Sequence, residues 1–92
     1  MITPEAIFGE IVRQRRCELG LTQVDLQLGS LDEAEISQPH ISNLEHGLKQ
    51  PCLRTMLHLE RVLELPPGKL FRRVRLAVER LSISDELPPK SL

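Results

Sequence analysis

Aromatic residues are almost absent from this chain: it has no Trp, no Tyr and only two Phe. The core must therefore be aliphatic, and leucine is the abundant candidate. Alternating runs of β-branched residues are missing, which argues against a fold of strands half-buried on one face. No stretch approaches the roughly 18 apolar residues of a membrane-spanning helix. Glu5 and Glu10 interrupt the N-terminal segment, so no long apolar region follows a basic start and no secretory signal is expected. Two cysteines, Cys17 and Cys52, are too few for a disulfide framework and have no Cys or His partners at zinc spacing. A reducing cytoplasm is the expected setting, with no metal or cofactor. The three histidines, His40, His46 and His58, lie near no activated nucleophile and do not have metal-ligand spacing. No catalytic constellation is visible, so an enzyme is not expected. Internal repeats and low-complexity tracts are also missing.

What is present fits one small domain of 92 residues. A net charge of −1 gives little overall attraction to nucleic acid. Placement matters more than the sum, because phosphates meet one face only. Arg13, Arg15 and Arg16 cluster early, and Lys69, Arg72, Arg73 and Arg75 cluster late. Acids concentrate at Asp32-Glu33-Ala34-Glu35 and at Glu60 and Glu64.

The hydrophobic spacing predicts five helices. The first runs from about Pro4 to Leu19, with Phe8, Ile11, Val12 and Leu19 as its apolar stripe, and stops at Gly20-Leu21. The second starts with Thr22 as cap and Asp25 reaching back, as in a capping box, and runs through Leu26 and as far as Leu31. Ser30 to Ile36 either lengthens that helix by about a turn or forms a separate turn. The third spans Gln38 to His46. The fourth spans about Leu53 to Glu64, with Leu53, Met56, Leu57, Leu59 and Leu63 on its inner side. The fifth spans about Gly68 to Leu81. Leu70, Val74, Ala77 and Leu81 alternate at spacings of four and three, and Phe71 and Val78 widen that stripe. Leu70 and Phe71 are expected to close the protomer core. Residues 1–82 form the domain, and 83–92 are expected to fray as a flexible tail.

The most informative stretch is Ile36-Ser37-Gln38-Pro39-His40-Ile41-Ser42-Asn43-Leu44-Glu45-His46-Gly47. Ser37 is a good N-cap, and Pro39 falls in the first turn, where helices tolerate proline. Ile41 and Leu44 can face a core. Gly47 suits the left-handed residue that ends a helix, with Leu48 behind it for the closing apolar contact. Gln38, His40, Ser42, Asn43 and His46 point outward. None carries a fixed charge, and most can both donate and accept hydrogen bonds. Amide side chains at the exposed N-terminal end of a short helix are what a surface reading base edges needs.

This order of signals resembles the helix-turn-helix domain of phage repressors and Cro-like regulators, the xenobiotic-response-element family. The family's Gly-Leu-(Thr/Ser)-Gln start to its second helix is Gly20-Leu21-Thr22-Gln23 here. Its recognition-helix pattern, Ser-Gln-x-x-Ile-Ser-x-(Leu/Ile)-Glu-x-Gly, is met by Ser37 to Gly47. Pro51, Leu53 and Leu70-Phe71 match the later signals. The chain departs from the family in two ways. Between Thr22 and Ser37 it carries about four residues more than usual, about one helical turn. The added region is acidic, and carboxylates there would repel phosphates unless they point away or contact a cytosine amino group.

The resemblance implies an all-α, five-helix phage-repressor-like domain with an extended C-terminal helix, binding double-stranded DNA. It implies that Gln38 reads a base, with Asn43 further along the same face. Gln23 corresponds to a glutamine that touches a phosphate and buttresses the first reader. His40 can touch a phosphate or a base, and Pro39 can pack on a thymine methyl. Ser37 and Ser42 share that helix. Arg13 and Lys49 are candidate phosphate contacts. Arg16 and Glu45 correspond to a pair joining the first helix to the third. Cys52 takes the place of the usual Ser or Thr cap of the fourth helix. Thiol redox sensing there is conceivable, but a structural replacement is the preferred reading.

The apolar surplus of the fifth helix, at Val74, Ala77, Val78 and Leu81, invites a second subunit. The expected function is a sequence-specific regulator, a repressor, acting as a homodimer. The alternative is an antitoxin that neutralises a toxin partner while repressing its own operon. A neighbouring toxin gene or a copurifying partner would separate the two.

Overall fold

The computed structural model describes residues 2–27 and 36–86, with side chains as far as residue 81. Among these residues the architecture is all-helical: α1 (Pro4–Glu18), α2 (Gln23–Gln27), α3 (Gln38–Glu45), α4 (Leu53–Val62) and α5 (Lys69–Glu86), with no strand. None of the described helices is long and apolar enough to cross a membrane. The expected extra turn between Ser30 and Ile36 lies outside the described residues, except for Ile36 itself, which is buried.

The helix boundaries follow from local hydrogen-bond chemistry. Thr3 caps α1 through Ala6 N–H at 3.1 Å, and Pro4 takes the first helical position. Thr22 and Asp25 cap each other reciprocally: Thr22 N–H donates to Asp25 Oδ2 at 2.8 Å and Asp25 N–H to Thr22 Oγ1 at 3.1 Å. Ser37 Oγ accepts from His40 N–H at 3.4 Å at the start of α3. At the end of α3, Gly47 adopts φ +74°, which lets Leu48 N–H reach back to the Asn43 carbonyl at 2.9 Å.

The end of α4 closes in the same way with a less suitable residue. Glu64 takes φ +57°, and Leu65 N–H donates to the Glu60 carbonyl at 2.9 Å. The Glu60 side chain then accepts from Gly68 N–H at 2.9 Å and Leu70 N–H at 2.7 Å. One carboxylate thus satisfies two otherwise unpaired donors at the entry to α5.

The core gathers Phe8 and Val12 from α1, Leu26 from α2, Ile41 and Leu44 from α3, Leu59 from α4 and Leu70 from α5. Ile36, Leu63 and Leu65 enter it from the connections. Helix α1 is central, lying against both α3 and α5.

Four sequence expectations are corrected here. Leu53 and Leu57 do not face inward; they are 73% and 60% exposed. The turn of α4 facing the core instead brings in Thr55, His58 and Leu59. His58 is satisfied there because its Nε2–H donates to the Leu26 carbonyl at 2.6 Å. Phe71 does not close the core. Leu70 alone does so, and Phe71, one residue further round the helix, is 61% exposed. Leu48 makes the backbone bond that ends α3, but its side chain lies exposed and closes nothing. The fifth helix also continues to Glu86, past the expected end at Leu81.

Candidate nucleic-acid interface

The polar face of α3 is held by an ordered chain of hydrogen bonds. Arg16, near the end of α1, meets Glu45, at the end of α3, through two bonds: Nε to Oε2 at 2.7 Å and Nη2 to Oε1 at 2.9 Å. The pair is shielded, with side-chain exposures of 15% and 2%. Arg16 Nη1 also donates to the Leu21 carbonyl at 3.0 Å, tying the same guanidinium to the turn before α2. Hydrogen bonding to Glu45 raises the Arg16 pKa further above its ordinary value, so the guanidinium stays charged.

An ionised carboxylate can only accept, and this sets the direction of the next links. Gln23 turns its amide nitrogen to Glu45 Oε1 at 3.0 Å. Its carbonyl then faces Gln38, which donates Nε2–H to Gln23 Oε1 at 2.6 Å. The polarity of both amides thus follows from the charge on Glu45. Among the described residues, the second N–H of Gln38 and its carbonyl remain unused at the start of α3. That donor–acceptor pair is the one a glutamine offers to the N7 and N6 edge of adenine.

The close approach of α1 to α3 has a visible cause. A Cβ on Gly9 would stand 2.3 Å from the Leu44 carbonyl oxygen and 2.5 Å from that of Glu45. A Cβ on Gly47 would meet Ala6 Cα at 2.8 Å. Two glycines therefore let the helices cross backbone to backbone, which brings Arg16 within reach of Glu45. Sequence reading missed Gly9. Its signal was a glycine inside a helical pattern, which loses about 1 kcal/mol against alanine unless packing requires it.

The other expected site residues are distributed as follows. Ser37 is the cap of α3, with its hydroxyl already engaged. Pro39 is exposed, and His40, Ser42 and Asn43 are half-buried along α3. His46 donates its Nδ1–H to the Ser42 carbonyl at 2.8 Å, which leaves Nε2 as the uncommitted ring nitrogen. Lys49 is exposed in the connection after Gly47.

The early basic cluster is split three ways. Arg13 faces solvent and pairs with Glu10 on its own helix, which also takes Gln14 at 3.0 Å. The hydrogen bond from Arg13 lowers the Glu10 pKa below its usual range. Arg15 points the other way and donates to the Leu63 and Glu64 carbonyls at 3.0 and 3.4 Å, capping the end of α4. Arg16 belongs to the buried chain. Arg15, Glu60 and His58 are scaffold residues that sequence reading did not assign.

Cys52 stands at the cap position of α4 but makes no side-chain cap bond; its Sγ lies 3.3 Å from Thr55 Oγ1. Of the expected subunit-contact residues, Val74, Ala77 and Val78 are half-buried and Leu81 is 37% exposed. No group of His, Cys, Asp and Glu among the described residues could hold a metal ion.

In comparisons with known proteins, a family model described as helix-turn-helix matches residues 12–70. That span covers α2, α3, α4 and the chain of polar contacts between them. No curated protein and no solved structure matches the chain.

Proposed function

This chain belongs to the Cro/C1-type helix-turn-helix family of DNA-binding regulators, and from that premise we propose that it is a sequence-specific repressor that reads the major groove with α3 as a homodimer. The observation that carries this reading is the hydrogen-bonded chain Arg16–Glu45–Gln23–Gln38. It fixes an amide at the start of a short helix before any DNA arrives. Less side-chain freedom is then lost on binding, and the amide presents one polarity. Arg13 and Lys49 contact phosphates and set the register, while Gln38 and Asn43 read bases. His40 and Pro39 complete the reading face. The protein works in the cytoplasm, and the mechanism is binding alone. Two protomers place their α3 helices about 34 Å apart, one turn of DNA, on a palindromic site.

Selection of bound fragments from random DNA tests the reading and supplies the operator. Gln38→Ala and Asn43→Ala should each weaken binding to the selected site by about 1–3 kcal/mol and relax preference at one base pair. Binding to unselected DNA should hardly change. Equal losses on both DNAs would show that these side chains do not read sequence.

A further inference from the structure

We propose that the second copy seats in an apolar groove between α1, α4 and α5, with Phe71 of each protomer filling the groove of the other. The inference rests on the homodimer reading above and names its mating surface. The groove has a volume of about 200 Å³; Pro4, Phe8, Pro51, Met56, Phe71 and Val74 line most of it, and Glu5 and Gln50 supply its polar share. Phe8, 3% exposed, belongs to the core beneath it. Phe71 is 61% exposed, against 3% for the chain's other phenylalanine, Phe8. Val74 belongs both to this lining and to the apolar stripe of α5, so the two surfaces are continuous.

Symmetry favours a second copy over an unrelated partner. A two-fold interface uses the same patch on both subunits, so the patch must be complementary to itself. A hollow with a projecting aromatic at its edge meets that condition: rotation places each Phe71 over the other hollow. The area is also sufficient. Leu53 and Leu57, 73% and 60% exposed, neighbour Met56 on α4, and Leu81 extends the band along α5. With Phe71 they present on the order of 400 Å² of apolar surface per copy. Doubled, and given the usual polar share, the interface clears the ~1,000 Å² that marks a specific association.

Sedimentation of the full chain over a wide concentration range, combined with DNA binding, tests the proposal. The parent should dimerise. Phe71→Glu should weaken the dimer at least about a hundredfold, since each interface loses two buried anchors. It should stay folded, because the side chain is exposed in the protomer, with a melting temperature that no longer rises with protein concentration as the parent's does. It should keep its affinity for a half-site from the selected DNA while losing affinity for the full palindrome. Leu76→Glu, which alters a 49% exposed leucine on the opposite side of α5, should leave the dimer intact. A parent dimer that survives Phe71→Glu overturns the groove and leaves the homodimer standing. A parent that stays monomeric at all concentrations overturns both. If Leu76→Glu dissociates the dimer equally, or Phe71→Glu abolishes half-site binding, Phe71 is not the interface anchor.

Discussion

Replacing Gly9 by alanine sets two calculable effects against each other. Helix propensity favours alanine by about 1 kcal/mol in a helix interior. Contact opposes it, because the new Cβ would lie 2.3 Å from one backbone oxygen of α3 and 2.5 Å from the next. Ordinary contact begins near 3.4 Å, so α1 must withdraw from α3 by about 1 Å. Neither obstacle is a side chain that could rotate aside. Withdrawal also pulls Arg16 away from Glu45, whose own carbonyl is one of the atoms in the way. Overpacking costs typically about 1–3 kcal/mol, and an immovable backbone puts this case at the upper end. After the propensity gain, the net loss should be about 2 kcal/mol. For a domain of this size that lowers the melting temperature by roughly 10 °C. Thermal and urea unfolding of Gly9→Ala measure it directly. A variant that melts at or above the parent temperature would refute the close crossing of α1 and α3, because propensity would then be the only effect left.

Arg16→Ala should destabilise by about 3 kcal/mol or more and weaken DNA binding, since it strands a buried carboxylate; parent-like melting combined with weak binding would make Arg16 a DNA contact and not a strut. Glu64→Gly should raise the urea midpoint by about 1 kcal/mol equivalent, because glycine takes φ +57° without the Cβ penalty. No gain in that measurement would mean that the end of α4 is not strained. His58→Ala should cost about 2 kcal/mol, chiefly by leaving the Leu26 carbonyl without its donor. Unchanged stability would show that this carbonyl finds another partner.

The helix ends were legible in the sequence because they depend on a few adjacent residues. Thr22 with Asp25, Ser37 with its own first turn, and Gly20 and Gly47 each announce a local hydrogen-bond pattern that needs no distant partner. The orientation of α4 was not legible. Leu53, Met56, Leu57, Leu59, Val62 and Leu63 surround most of that helix, so spacing selects no single face. The side of α4 that meets α2 carries His58, which donates to the Leu26 carbonyl, and that contact is not written in the spacing of apolar residues. Phe71 misled for a similar reason. Beside Leu70 it looks like core, yet successive residues lie about 100° apart on a helix, and only one of them faces α1. The identities along the polar chain were legible through the family resemblance. Its directionality was not, because it depends on which atoms of Gln23 and Gln38 meet after folding.

That directionality divides α3 into two kinds of position. Gln38 is bound into a circuit with Gln23, Glu45 and Arg16, so a change there must be absorbed by three other residues, Glu45 on α3 itself and Gln23 and Arg16 on α2 and α1. Pro39, His40 and Asn43 carry no side-chain bond of that circuit. Substitutions at these three positions alter the outward chemistry of the helix without disturbing its support. On the proposed reading of α3, descendants of this chain can therefore drift in target preference at Pro39, His40 and Asn43 by single steps. On the same reading, a change of target at Gln38 has to be inherited as a set.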